Sequence, residues 1–504
     1  MGDAADTLCL VTGATGYVGG RLVPELLAAG HRVRVLARHP ERLRDHPWHD
    51  DVEVAVGDAA DSAALGRAMA DVDVAYYLIH AIGTGPDFER TEEAVARTFA
   101  GAARDAGIGR IIYLGGLAHD SDLSEHLRSR AEVGDILLAS GVPTAALGAA
   151  TVIGSGSLSF EMLRYLTERL PVMITPRWVR TRIQPIAIRD VLRYLVGCVD
   201  LPPDVNRTFD IGGPDILTYE QMMQHFAAVS GLTRRRILPI NLLQPELSSR
   251  WVGLITPVPS SIARPLVASL RNEVVCHEDD IRSYIPDPTG GLLGFDDSVR
   301  LALKRVQDAD VATRWSDASI PGAPSDPMPT DPDWAGGSLF TDDRSTVVDA
   351  SPEAVWDVVE SIGGDNGWYS LKWAWEVRGG FDRAIGGPGL RRGRRDPQDL
   401  LVGEVCDFWR VEEVVPGSLL RLRAEMKVPG LAWLEFHVGP ADGGRSTLRQ
   451  RATFFPHGLA GQAYWYSVLP FHGAVFPTML TRISAAAVER DAAQPGRPAQ
   501  SGAG

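Results

Sequence analysis

Five short runs of apolar and β-branched residues, "LCLVTG", "RVRVLA", "VEVAVGD", "VAYYLI" and "RIIYLGG", follow one another in the first quarter of the chain, with helix-patterned stretches between them. This alternation admits few folds, because strands joined through helices run parallel and a parallel sheet needs helices over both faces. The chain is therefore read as α/β, with a doubly wound parallel sheet in its first part. The first run passes straight into "VTGATGYVGGRL", where Gly13, Gly16 and Gly19 end a strand and open a helix. Glycines at these places let the backbone turn sharply and approach a pyrophosphate, whose charge the free N–H groups and the positive end of the helix dipole stabilise. A Gly-rich turn by itself can be merely structural. Its position at the first strand-to-helix junction is what makes it a candidate dinucleotide site, with Thr15 and Tyr17 of the same turn as further cofactor-binding candidates.

The second strand, "RVRVLARHP", ends without the acidic residue that would accept hydrogen bonds from a ribose 2′-hydroxyl, and supplies Arg38 instead. That choice favours NADP, with NAD as the alternative. An ordinary surface arginine is the competing explanation in a chain with 50 basic residues of which only Lys304, Lys372 and Lys427 are lysine. In "VAVGDAAD", Asp58 can accept from the adenine amino group, while Asp58 or Asp61 can equally cap the next helix.

At 504 residues the chain is too long for one core. Residues 316–337, dense in Pro, Asp, Ser and Gly, read as a linker between a first domain, 1–315, and a second, 338–490; residues 491–504 read as a disordered tail. Within the first domain the pattern after Thr144 is less regular. There "RTFDIGGPDILTYEQMMQHFAAVSG" gives a strand, a Gly-Pro turn and a helix opening near Thr218, in a part expected to cap the carboxyl edge of the sheet.

In the second domain, Ser351 and Pro352 are the N-cap and first residue of a helix that follows a strand. Antiparallel strand patterns come next, then an apolar helix from about Gly461 to Val488. Eight of the twelve tryptophans fall from Trp334 onward, and the patches "GWYSLKWAWE" and "AYWYSVLPFH" either line a pocket or fill a core. The loop "GGPGLRRGRRDP", with Arg391, Arg392, Arg394 and Arg395, can hold an anion or simply be solvated.

A net charge of −14 disfavours nucleic-acid binding. Cys9, Cys198, Cys276 and Cys406 are far apart with no metal or disulfide spacing, and the start "MGDAADTLCLVTG" has no export signal, so a cytoplasmic protein is expected. His437, His457 and His472 lack ligand spacing, and no metal is expected. The most apolar window, "WVGLITPVPSSIARPLVASL", is broken by prolines and Arg264, which disfavours a membrane span. Oligomeric state is not readable.

The motifs "VTGATGYVGGRL", "VGDAAD", "RIIYLGG", "RSRAEVGDILLASGVP" and "DIGGPDILTYEQM" together resemble the atypical short-chain dehydrogenase/reductases, near the NmrA-like and complex-I-subunit-like groups, over about the first 300 residues. The resemblance implies a Rossmann fold, with Gly13, Gly16 and Gly19 at the phosphates, Arg38 at the 2′-phosphate and Asp58 at adenine. The second domain resembles a START-like, α+β helix-grip domain of unknown function, which implies a curved sheet around the last helix and an apolar cavity. Where carbonyl-reducing members carry Tyr-x-x-x-Lys and a preceding Ser, this chain has His126, Arg130 and Gly115 or Gly116. His126 can supply a proton near neutral pH, or be a helix-surface residue. Arg130, one turn away, can bind the nicotinamide ribose but not act as a base. His80, after the fourth strand, is a second proton-donor candidate, and Tyr113 reads as core. The expected activity is NADP-dependent reduction of an apolar small molecule that needs no strong acid, such as a quinone or an enone. The alternative is a non-catalytic NADP(H) sensor that signals to a protein partner. A redox-complex assembly role draws only on the family likeness.

Overall fold

In the first strand, Leu8 and Leu10 pack into one apolar cluster while Cys9 and Val11 pack into another. Side chains alternate across a strand, so this sheet is buried on both faces. The computed structural model describes residues 7–44, 46–80, 88–120, 122–240, 260–307, 339–370 and 400–493. The chain divides into two units, Met1–Gly337 and Ser338–Gly504. Residues 316–337 and the arginines 391–395 lie outside the described residues.

The first unit is built on seven strands, β1 (Leu8–Thr12), β2 (Arg32–Ala37), β3 (Glu53–Val56), β4 (Val74–Tyr77), β5 (Arg110–Gly116), β6 (Thr144–Ala149) and β7 (Arg207–Ile211). Their order is β7-β6-β5-β4-β1-β2-β3 and every pairing is parallel, the doubly wound α/β arrangement expected from the alternation. On one face, α1 (Tyr17–Ala28) contributes Leu22, Val23 and Leu26 to the core. On the other, α2 (Ser62–Ala68), α3 (Phe88–Asp105) and α4 (Glu125–Leu138) contribute Leu65, Phe99 and Val133. Strand order reverses between β1 and β4, so the helices that follow these strands leave to opposite faces and a crevice opens at their carboxyl ends.

The later part of the unit adds α5 (Leu158–Arg169), α6 (Ile188–Gly197), α7 (Tyr219–Val229), α8 (Ser260–Ser269) and α9 (Phe295–Gln307). All but α6 contribute to a separate apolar cluster that includes Phe160, Phe226, Val267 and Val299. Helix α7 opens at Thr218 through a reciprocal cap: Thr218 Oγ1 accepts from Gln221 N at 3.1 Å, and Gln221 Oε1 accepts from Thr218 N at 2.7 Å.

The second unit is a six-stranded antiparallel sheet. Its strands are β8 (Phe340–Val348), β9 (Val405–Cys406), β10 (Trp409–Val415), β11 (Leu419–Ala424), β12 (Gly430–Ala441) and β13 (Arg445–Pro456), in the order β8-β13-β12-β11-β10-β9. Helix α10 (Pro352–Glu360) is capped by Ser351, whose Oγ accepts from Ala354 N at 3.3 Å. The closing helix α11 (Gly458–Ala493) starts earlier and ends later than the sequence pattern suggests, running into the stretch expected as tail and containing Pro470 and Pro477. Among the described residues no helix is long and apolar enough to cross a membrane.

A Cβ on Gly19 would lie 2.3 Å from Gly13 O and 3.0 Å from Ala14 Cα, atoms of backbone that cannot swing aside. Gly19→Ala is expected to destabilise the first unit by about 1–3 kcal/mol, read as a lower urea midpoint; an unchanged midpoint would show that the turn relaxes freely.

Candidate functional site

The crevice at the β1–β4 divide is a cavity of about 780 Å³. Its floor is the turn after β1. Gly13 has φ +75°, and a Cβ there would meet Leu78 O at 2.6 Å, so the turn lies directly against the end of β4. Thr12 ties the same two strands, donating from Oγ1 to Tyr76 O at 2.7 Å and accepting from Leu78 N at 3.4 Å. Helix α1 then starts with Gly16 as its N-cap, with no side-chain cap and no acidic residue in its first turn. Its leading N–H groups therefore face the cleft with neither a capping side chain nor a repelling carboxylate. Gly13, Thr15, Gly16, Tyr17 and Gly19 all line this cleft.

At one end of the cleft stand Arg38 and Asp58. Both are exposed, with Arg38 Nη1 3.7 Å from Asp58 Oδ2. The sequence left open which aspartate caps α2. Asp61 does so, accepting from Ala63 N at 2.9 Å, while Asp58 Oδ1 closes a local turn by accepting from Ala60 N at 2.9 Å.

At the other end His80 and His126 meet. His80 Nδ1 lies 2.7 Å from Glu92 Oε1, His80 Nε2 lies 3.2 Å from His126 Nε2, and His126 Nδ1 lies 3.2 Å from Ser269 Oγ. Ser129 Oγ donates to Glu92 Oε2 at 2.5 Å, and Ser124 and Ser269 hydroxyls are 2.9 Å apart. Ser269 gives its one hydroxyl hydrogen to Pro265 O at 2.9 Å, so toward His126 and Ser124 its oxygen is an acceptor. Glu92 was not singled out from sequence, although a signal existed. It sits one turn before Ala96 on the face that carries Phe99 and Ala103, a carboxylate where the helical period calls for an apolar residue.

His126 is half-buried, with its ring stacked 5.3 Å from that of His80. Burial, reinforced by His80 and Arg130, pushes its imidazole from 6.5 down to about 3, so it is neutral at pH 7. His80 is also held below its ordinary value, by burial and Arg130 against the opposing pull of Glu92. Neutral imidazoles can orient a hydrogen bond, but they are not charged acids.

Arg130 stands at the same end of the cleft. Its guanidinium donates to the carbonyls of Leu114 and, at 3.4 Å, Ile79, and lies 4.9 Å from the Tyr113 ring centroid. It thereby links the ends of β5 and β4 while still lining the cleft. Tyr113 is buried, as read from sequence, and donates from its hydroxyl to Arg130 O at 2.9 Å. A Cβ on Gly115 would meet Tyr113 Cε1 at 2.8 Å. A side chain at residue 115 therefore requires the tyrosine ring to shift, and a Cβ on Gly116 would lie 3.0 Å from Leu127 Cδ2.

The remaining wall carries the apolar Met162, Ile183, Leu266, Leu270 and Val274 together with the hydroxyl residues Thr151, Ser157 and Ser159. Tyr219 stands among them, in the first turn of α7 where the Thr218 cap fixes it. Its hydroxyl is buried with no hydrogen-bond partner, and burial raises its pKa. The sequence reading missed Tyr219, since nothing local distinguishes it from a core tyrosine.

A parallel sheet reversing at a glycine turn, with an uncapped helix end facing a cleft, defines a dinucleotide-binding protein. Residues 13–163 match the family described as NAD(P)H-binding, and residues 334–479 match "Protein of unknown function (DUF2867)". The chain is 32% identical over 279 residues to ceramide reductase of Caulobacter vibrioides, covering 52% of this chain and 83% of that protein. It is 28% identical over 291 residues to (4-alkanoyl-5-oxo-2,5-dihydrofuran-3-yl)methyl phosphate reductase of Streptomyces griseus, covering 56% and 93%. It is 26% identical over 265 residues to mitochondrial NADH dehydrogenase [ubiquinone] 1 alpha subcomplex subunit 9 of Mus musculus, covering 50% and 67%. The chain belongs to the NAD(P)H-binding Rossmann proteins of the atypical short-chain dehydrogenase/reductase kind, with a C-terminal domain from a family of unknown function. The START-like likeness of that domain rests on its element order alone.

Two outcomes follow from the cleft's chemistry. Between pH 6.5 and about 3 the unfolded chain takes up a proton that folded His126 refuses, so this contribution to stability is complete above pH 6.5 and lost on acidification. His126→Gln should therefore flatten the acid-side fall of the first unit's melting temperature, whereas a parallel fall in both proteins would assign it to other groups. Gly115→Ser should destabilise the first unit by about 1–3 kcal/mol by overpacking against Tyr113, measured by urea unfolding.

Proposed function

We propose that the first unit is an NADPH-preferring reductase acting on a neutral, apolar acceptor such as a quinone or an enone. The observation that carries this reading is the composition of a single cleft: an anion-binding turn and Arg38 toward one end, an apolar wall at the other, and neutral imidazoles where a charged acid would be expected. The turn fits a pyrophosphate, because α1 opens at Gly16 with no side-chain cap and no acidic residue in its first turn. Gly13, Thr15, Gly16, Tyr17 and Gly19 would hold the phosphates, Arg38 the 2′-phosphate, and Asp58 the adenosine edge. The bound dihydronicotinamide supplies the hydride.

This chain's own residues orient and exclude. Met162, Ile183, Leu266 and Val274 offer a water-excluding wall to a flat apolar acceptor. The unpartnered Tyr219 hydroxyl gives such an acceptor a neutral hydrogen-bond donor. The His126–His80–Glu92 row fixes tautomers rather than delivering a charged proton, which suits acceptors whose reduction needs little acid assistance. The relatives named as reductases support an oxidoreductase.

A second reading, a nucleotide sensor acting through a protein partner, draws on the same departures at His126, Arg130 and Gly115. The acceptor decides between them. In a fluorescence titration NADPH should bind more tightly than NADH, Gly16→Asp should abolish binding of both, and Arg38→Ala should weaken NADPH about tenfold or more while leaving NADH nearly unchanged. NADPH oxidation is then followed with menadione and a panel of enones. Tight binding with no oxidation by any acceptor would sink the reductase and leave the sensor.

A further inference from the structure

Two short strands of the first unit that line no part of the nucleotide cleft, Val172–Pro176 and Arg236–Ile240, pair in parallel as a separate sheet. Val172 lies opposite Arg236, Met173 opposite Ile237, and Ile174 opposite Leu238. Successive side chains of a strand point to opposite faces. Met173 is buried and Ile237 packs against the apolar cluster around Phe160 and Phe226, which accounts for one face. The other face is apolar as well, with Val172, Ile174 and Leu238 exposed by 52%, 53% and 56%. A half-buried strand ordinarily turns polar residues to solvent. Among the described residues, three of the six exposed large apolar side chains of the first unit gather on this small ribbon, and a contiguous patch of that kind marks a surface that something covers.

What covers it follows from charge. The chain has 64 acidic residues and a net charge of −14, yet residues 169–189 and 221–245, the stretches that contain the two strands, hold eight arginines and no Asp or Glu. Arg236, opposite Val172, is exposed, and so are Arg234 before it and Arg177 just after Pro176. None of these three makes an ion pair among the described residues, whereas Arg180 meets Glu220 at 3.5 Å. An apolar face with unpaired cations beside it and no carboxylate in its own stretches complements a surface that is apolar within and anionic at its boundary, which is a bilayer containing acidic lipid. Arginine stems lie along apolar surface while their guanidinium groups reach phosphate. The sequence favours a bilayer over an acidic protein, because the most apolar window of the chain, residues 251–270 with Arg264 as its one charged residue, comes shortly after Ile240, and bilayer affinity grows with apolar area. No helix among the described residues is long and apolar enough to span, so the contact is with the membrane surface.

We propose that the first unit docks on a membrane containing anionic lipid through Val172, Ile174 and Leu238, with Arg177, Arg234 and Arg236 engaging the lipid phosphates. None of these residues lines the nucleotide cleft, so the inference does not rest on the reductase reading.

The test sediments the full chain with vesicles of phosphatidylglycerol and phosphatidylcholine in equal parts, and with vesicles of phosphatidylcholine alone. Binding to the mixed vesicles should exceed binding to the neutral ones by about tenfold or more and should weaken as salt is raised. Arg234→Gln with Arg236→Gln should weaken it about tenfold, and Val172→Thr with Ile174→Thr, which keeps β-branched residues in the strand, at least about threefold. Circular dichroism and urea midpoints establish that each variant folds, and Leu238→Thr replaces the threonine pair if that variant does not. Equal binding to both vesicles, or unchanged binding in either variant, would overturn the proposal. Absence of binding to the mixed vesicles would do the same and leave an acidic protein as the occupant, and loss of a dimer in the threonine variant, read by sedimentation equilibrium, would assign the patch to a second copy of this chain. Vesicle binding without any oxidation of NADPH would count against the reductase reading alone.

Discussion

The contact of Gly13 with the carbonyl of Leu78 is the constraint from which the first unit's site follows. A side chain at residue 13 would push the turn away from the end of β4. The crevice at the β1–β4 reversal would then lose its floor. Because Gly13 sits at φ +75° and Gly19 packs on Gly13 O, the start of α1 is held in one place, with its leading N–H groups directed at the cleft. Thr12 reinforces this join from the side by bonding both ends of the same strand pair.

At the opposite end of the cleft Arg130, Tyr113 and Gly115 form one interlocked arrangement. Arg130 bonds backbone carbonyls after β4 and β5 and stacks near Tyr113, Tyr113 returns a hydrogen bond to Arg130 O, and the Tyr113 ring occupies the space a serine at residue 115 would need. Once the arginine spans those strand ends, the ring it covers excludes the serine. His126 then meets the exposed His80, and both imidazoles are held below their ordinary value by desolvation and by the nearby guanidinium. Chemistry that needs a strong acid is disfavoured by this electrostatic setting, and chemistry that needs a fixed neutral donor is not.

The second unit shows a different economy. Its long strands β12 and β13 pair over their full length, and the buried Arg421 is held between Glu413 and Glu435 at 2.6 and 2.8 Å, so charge inside this sheet is compensated. The Trp409 indole N–H and the Thr453 hydroxyl are buried there without partners.

The sequence by itself determined the parallel α/β class, the glycine turn, the helix starts at Thr218 and Ser351, and the candidates Arg38 and Asp58. Each of these is written in local periodicity or in a short-range backbone requirement. His80, His126 and Arg130 were also legible as residues, but not their charge states or partners. Tertiary structure alone decided that Glu92 and Ser269 complete the histidine row, that Tyr113 forbids a serine at 115, and that Tyr219 faces the cleft. The histidine row depends on groups 12 to 143 positions apart meeting, and in all three cases packing sets which side chains can coexist. No window along the chain records such distances.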